Sequence, residues 1–142
     1  MKKNIILVLT VVAALIGGAV GKTVVKSMFD RKASVSYDQV LVETSKRINA
    51  TLPMHVDKET RMDSTVAGPG NRLTYLYTLV NLSSDDLDSA TFIKNMRPQL
   101  IQGYRTSPSM AAFRERQVEL HYHYRDKNGN VVAAIVVSPK DF

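Results

Sequence analysis

The 142-residue chain contains no cysteine. Disulfide and thiolate chemistry are thereby excluded, and its folded part must hold together on core packing alone, which about 110 residues can do. It has no phosphate-binding loop. Gly21-Lys22-Thr23 ends like one, but the glycine required five residues before Gly21 is replaced by Ile16, and no strand-loop-helix context surrounds it. There is no nucleophile-elbow sequence, and three histidines offer no preferred serine to activate. Charge of one sign is missing too, once its location is traced. Of 19 basic and 13 acidic side chains, residues 1–32 hold six and one, so the other 110 residues carry 13 and 12, a net +1. The overall +6 belongs to the first segment, and the remainder has no basic excess of the kind that binds nucleic acid.

What is present begins with an address. Lys2 and Lys3 precede residues 5–21, a run of 17 residues without charge, and Lys22, Lys26, Arg31 and Lys32 follow it. A helix of that length reaches about 25 Å, slightly short of a ~30 Å hydrocarbon core. Thr23, Val24 and Val25 extend it if Lys22 snorkels to the interface. We read residues 1–29 as a single-pass signal anchor in the inner membrane, held through residues 5–25, with the C-terminal domain periplasmic. The alternative is a secretory signal peptide cleaved at Ala19-Val20-Gly21, which releases the domain into the periplasm. Ala13, Gly17 and Gly21 recur every four residues, a weak stripe for helix self-association that is equally expected of a cleavage region. Asn49-Ala50-Thr51 and Asn81-Leu82-Ser83 fit the glycosylation sequon, incidental behind a signal of bacterial type.

Residues 30–35 form a polar linker, and residues 36–142 one small domain. Ser36 and Gln39 make a capping box with Val35 placed to staple Val40, and Tyr37, Val40, Leu41, Thr44 and Ile48 share a helical face. Residues 60–66 read as a strand, Gly68-Pro69-Gly70-Asn71 as a turn, and residues 72–80 as a second strand. Asp85-Asp86 suit the start of a helix carrying Ile93, Met96, Leu100 and Tyr104, which Pro98 should kink or split. Ser107-Pro108 starts a short turn through Phe113. Residues 117–125 and 131–137 form a hairpin about Asn128-Gly129, both at positive φ. The expected fold is α+β, in the order α-β-β-α-β-β, with a four-stranded antiparallel sheet packed on two main helices behind the N-terminal helix. Leu73-x-Tyr75-x-Tyr77 is echoed by Leu120-x-Tyr122-x-Tyr124, each an apolar row on one face of a strand.

Leu52-Pro53-x-x-Val56-Asp57-x-x-Thr60, Tyr75-x-Tyr77, Tyr122-x-Tyr124-x-Asp126-x-x-Gly129 and the closing Val136-x-x-x-x-Asp141 resemble a group of small, functionally uncharacterised bacterial proteins with an N-terminal signal or anchor. The resemblance covers about residues 50–142. It implies an exported or membrane-tethered α+β domain and brings no activity with it. Many members close with Asp-Cys and have a second cysteine after the long helix; here Phe142 and Thr106-Ser107 stand there, so that bond is lost.

Four constellations could carry chemistry. His121 and His123 share a strand face with Gln117, Glu119 and Arg125, a real metal-ligand spacing that Glu119 or His55 could complete, although a solvated face explains it better and Arg125 opposes a cation. Asp85, Asp86 and Asp88 could bind a metal, but a helix dipole suffices. Arg114-Glu115-Arg116 could hold an anion or simply be a solvated turn. Tyr75, Tyr77, Tyr122 and Tyr124 could line a ligand site but suit a core. No catalytic, cofactor or metal residue and no cofactor is therefore assigned. The sequence reads as a non-catalytic envelope module that binds another envelope protein, the alternative being a periplasmic domain that binds a small ligand or metal, or an enzyme.

Overall fold

The computed structural model describes residues 37–142. The anchor or signal, its cleavage site, the Ala13-Gly17-Gly21 stripe, the linker and the Ser36 cap lie outside them. Helix α1, Tyr37–Asn49, buries Val40, Leu41, Thr44, Ser45 and Ile48, the face its apolar spacing defines. The Thr44 hydroxyl donates to the Val40 carbonyl 2.8 Å away, so a buried polar group is satisfied within the helix. After a cis Leu52-Pro53 peptide come β1, Met54–His55, β2, Thr60–Gly68, and β3, Arg72–Leu79. Helix α2, Ser89–Thr106, and the short α3, Ala111–Glu115, lead to β4, Glu119–Arg125, and β5, Val131–Val137.

The sheet has five strands in the order β1-β2-β3-β4-β5, and β3 runs parallel to β4 while all other neighbours are antiparallel. Both points correct the four-stranded antiparallel expectation. Two residues after Pro53 show no alternation from which β1 could be read. The parallel centre follows from α2, which carries the chain back across the sheet between β3 and β4; strands joined by such a crossover run in the same direction. The echoed rows thereby become neighbours in register, with Leu73 opposite Leu120, Tyr75 opposite Tyr122 and Tyr77 opposite Tyr124.

Three local expectations change. Asp85 and Asp86 occupy a separate 3-10 turn, Ser84–Asp86, and Asp88 caps α2 by accepting from the Thr91 N–H. Pro98 does not split α2. Phe92 and Met96 before it, and Leu100 and Tyr104 after it, are buried against the sheet, and that packing outweighs the ~3 kcal/mol cost of an interior proline. In the β4–β5 hairpin only Gly129 has positive φ, +85°; the Asp126 carbonyl accepts from the Gly129 N–H at 3.1 Å. Asn128 keeps negative φ, so the loop is a wider turn followed by a left-handed glycine. Space beside Gly129 is open, leaving backbone strain as the only penalty for a side chain. Gly129→Val is expected to cost about 1–3 kcal/mol in thermal denaturation, and Gly129→Asn clearly less, because asparagine tolerates the left-handed region.

Candidate functional site

The sheet presents two different faces. Its inner face, toward α1 and α2, carries the tyrosines of β3 and β4, all but completely buried. Tyr75 stacks on Tyr122 with ring centroids 5.2 Å apart, Tyr77 on Tyr124 at 5.0 Å, and Phe92 of α2 meets Tyr124 edge-on at 5.0 Å. This array comes straight from the parallel register. Among the described residues the hydroxyls of Tyr75, Tyr77, Tyr122 and Tyr124 have no hydrogen-bond partner, whereas the Tyr104 hydroxyl donates to the Val118 carbonyl at 2.7 Å. Burial pushes all five phenols up from their ordinary value near 10, and in Tyr104 the Arg114 guanidinium opposes this. Neutral, stacked phenols are not poised for proton transfer near neutral pH.

The outer face carries His121 and His123 beside Glu119 and Arg125. His121 Nε2 lies 2.6 Å from Glu119 Oε1, and the imidazole centroids are 6.4 Å apart. Partial burial, followed by His121, Arg125 and Arg72, lowers the pKa of His123. Among the described residues no group of three or more His, Cys, Asp or Glu side chains is placed to hold a metal ion, and His55 lies away on the far edge strand. His121→Gln with His123→Gln is expected to leave the melting temperature within the shift of about 0.5 kcal/mol, since both side chains border solvent. Stoichiometric zinc or copper in protein purified without added metal, lost in that variant, would reverse the reading.

The other candidates serve the fold. Arg114 donates from Nη1 to the Tyr104 and Ser107 carbonyls, both at 2.7 Å, and so caps the end of α2 instead of binding an anion. Sequence reasoning did not foresee the part played by aspartate side chains in turns. Asp57 Oδ1 accepts from the Glu59 and Thr60 N–H groups at 2.8 Å. Asp126 is fully buried, and burial alone would push its carboxyl up; hydrogen bonds from the backbone of Ser84, Asn130 and Asn128 hold it well below the usual carboxylate range. Asp141 accepts from the Ser138 N–H and pairs with Arg97. Asn49 accepts from the Thr65 N–H and donates to its carbonyl, so the first sequon's side chain is committed to the α1–β2 contact. The motif of residues 52–141 is thus largely a fold signature. Val136 departs from it, 41% exposed on β5.

Two surface features remain. An open groove of about 550 Å³ runs along the outer side of α2, lined by Pro98, Gln99, Gln102, Gly103, Thr106, Ser107 and Pro108, with no ionisable side chain among them. At the end of the sheet, β5 has β4 on one side and no strand on the other among the described residues. Its signal in the sequence is a run of seven residues without charge. Among the described residues no helix is long and apolar enough to cross a membrane.

A family model described as a domain of unknown function, DUF8479, matches residues 36–133. No curated protein matches the chain. Several solved structures share its fold. A protein of Pseudomonas aeruginosa described as secreted aligns with a TM-score of 0.57 and 14% identity over 74% of this chain and 95% of its own. The type II secretion system pilotin AspS of Vibrio cholerae aligns at 0.57 and 8% over 75% and 92%. EpsS, the pilotin of the Vibrio vulnificus type 2 secretion system, aligns at 0.58 and 8% over 73% and 89%. At such identities the likeness is one of fold.

Proposed function

The chain belongs to the DUF8479 family, and from that premise we propose that it is an exported, non-catalytic module of the bacterial envelope whose task is to bind another protein. The observation that carries this reading is what the polar side chains do. Asp57, Asp126, Asp141, Asn49 and Arg114 are engaged in turns, caps and inter-element contacts, and the tyrosines are stacked in the core. Among the described residues no serine or threonine hydroxyl is hydrogen-bonded to a histidine, Asp63, which accepts from the Thr78 hydroxyl, is itself paired with Arg61, and the α2 groove has no ionisable lining for acid-base work. The pilotins that share the fold belong to a secretion system, and this supports a role in contact with envelope proteins.

Two forms of targeting fit, one tethered and one released. A retained anchor keeps the chain in the membrane pellet after carbonate washing, whereas cleavage gives a soluble form beginning at Lys22. Cross-linking the tagged full chain in intact cells, then capturing it, tests the function. One defined protein adduct, absent from an exported control, is expected. A pattern identical to the control would contradict the proposal.

A further inference from the structure

An asparagine followed by glycine is chemically labile when its carboxamide is free and the next backbone nitrogen is accessible, and the fold leaves one asparagine in that condition. Residues 37–142 hold six asparagines, Asn49, Asn71, Asn81, Asn95, Asn128 and Asn130. Four have carboxamides that are tied down. Asn49 donates from Nδ2 to the Thr65 carbonyl at 2.9 Å, Asn71 to that of Arg116 at 2.7 Å, Asn81 to that of Lys58 at 3.1 Å, and Asn130 to Asp126 Oδ2 at 3.3 Å. A fifth, Asn95, lies inside α2, where the helix ladder holds the Met96 nitrogen. Asn128 differs from all of them. It is exposed in the β4–β5 turn, its carboxamide has no partner among the described residues, and glycine follows it.

The neighbouring nitrogen is also lightly held. One bond fixes the Gly129 N–H, to the Asp126 carbonyl at 3.1 Å. Gly129 has φ +85°, and apart from its chain neighbours nothing lies within 4 Å of where a Cβ would stand. The space beside it is open to water and to the Asn128 side chain.

We propose that Asn128 is a site of spontaneous covalent modification. The Gly129 nitrogen, giving its proton to hydroxide, bonds to Asn128 Cγ. The Cγ–Nδ2 bond breaks, the leaving amide takes a proton from water, and ammonia departs from a five-membered succinimide. Water then adds to one ring carbonyl. Opening at Cγ gives aspartate, whereas opening at the main-chain carbonyl breaks the original peptide bond and leaves the chain running through Cβ and Cγ as isoaspartate. Nothing is oxidised or reduced, and the co-reactants are water and hydroxide.

The position gives the modification a structural consequence. Asp126 Oδ1 accepts from the N–H groups of Asn128 and Asn130, both at 2.8 Å, on either side of the altered bond. Its Oδ2 accepts from the Ser84 N–H at 2.8 Å, and the Lys127 N–H donates to the Leu82 carbonyl at 2.9 Å. Isoaspartate lengthens the main chain between the two Oδ1 donors by one methylene and sets a new carboxylate near a buried one. Both bonds to Oδ1 then cannot keep their present lengths, and the latch from the hairpin to residues 82–84, which shares that carboxylate, loosens with them. The modification is independent of the protein-binding role.

The test ages the full chain in mildly alkaline buffer and maps its peptides by mass spectrometry, with isoaspartate methyltransferase labelling to tell isoaspartate from aspartate. Asn128 is expected to convert at least about tenfold faster than Asn81 or Asn95. Amide exchange at Ser84, Lys127 and Asn130 should quicken in the aged protein and stay unchanged in equally aged Asn128→Gln, whose longer side chain closes a six-membered ring far more slowly. An Asn128 left intact through many conversion half-lives of the urea-unfolded chain would overturn the proposal, by showing that the Gly129 N–H bond to Asp126 shields it. Earlier conversion at Asn81 or Asn95 would overturn it too, and conversion at Asn128 without faster exchange at Ser84 would overturn the loosened latch.

Discussion

Raised through pH 10, the protein is expected to unfold abruptly and to ionise its core tyrosines only as it does so. The sign follows from the shifted phenols. Tyr75, Tyr77, Tyr122, Tyr124 and Tyr104 all have pKa values raised in the folded state, chiefly by burial. In the unfolded chain they lose their protons near pH 10. A raised folded pKa means that the unfolded state releases protons first, so the stability these groups lend is whole below pH 10 and falls as pH climbs toward the folded values. Tyrosinate absorbance near 295 nm and the far-ultraviolet circular dichroism should change together. Smooth ionisation at pH 10 with the fold intact would show that the array is open to solvent.

Tyr122 should divide sharply between its two simplest replacements. Tyr122→Ala removes a ring stacked on Tyr75 at 5.2 Å and 6.4 Å from Tyr77, and an aromatic-to-alanine change in a packed core costs about 3–5 kcal/mol. That is a large part of the total stability of a domain this size. Tyr122→Phe keeps the ring and removes a buried hydroxyl with no partner among the described residues, and an unsatisfied buried polar atom costs about 1–3 kcal/mol. The phenylalanine variant should therefore melt at or above the unaltered protein. A marked loss in Tyr122→Phe would mean that the hydroxyl has a partner, and the tyrosine array would become a ligand site.

Much of the fold was legible because periodicity reports burial. The faces of α1 and α2, the β5 limits and the polar side of β4 follow from spacing at 3.6 or 2 residues, and the β2–β3 turn from the Gly68-Pro69-Gly70-Asn71 cluster. The parallel pairing of β3 with β4 was not, although its trace lay in the Leu-Tyr-Tyr echo. A repeat of side-chain type reveals a shared face, and only the path of α2 across the sheet says that the two rows lie side by side. Asp126 illustrates a second limit. Asp126-x-x-Gly129 announces a turn, but its bond to Ser84, 42 residues away, depends on tertiary approach that no local pattern encodes. The open end of the sheet was hardest to find. A seven-residue apolar run reads alike in a central strand and at an edge, and strand order alone makes β5 open.

Native mass spectrometry of the full chain, purified gently from its own cells, tests protein binding most directly. The expected mass is that of the chain plus one protein partner, with nothing small retained when that complex is dissociated. The chain alone carrying a stoichiometric metal or small molecule would contradict it.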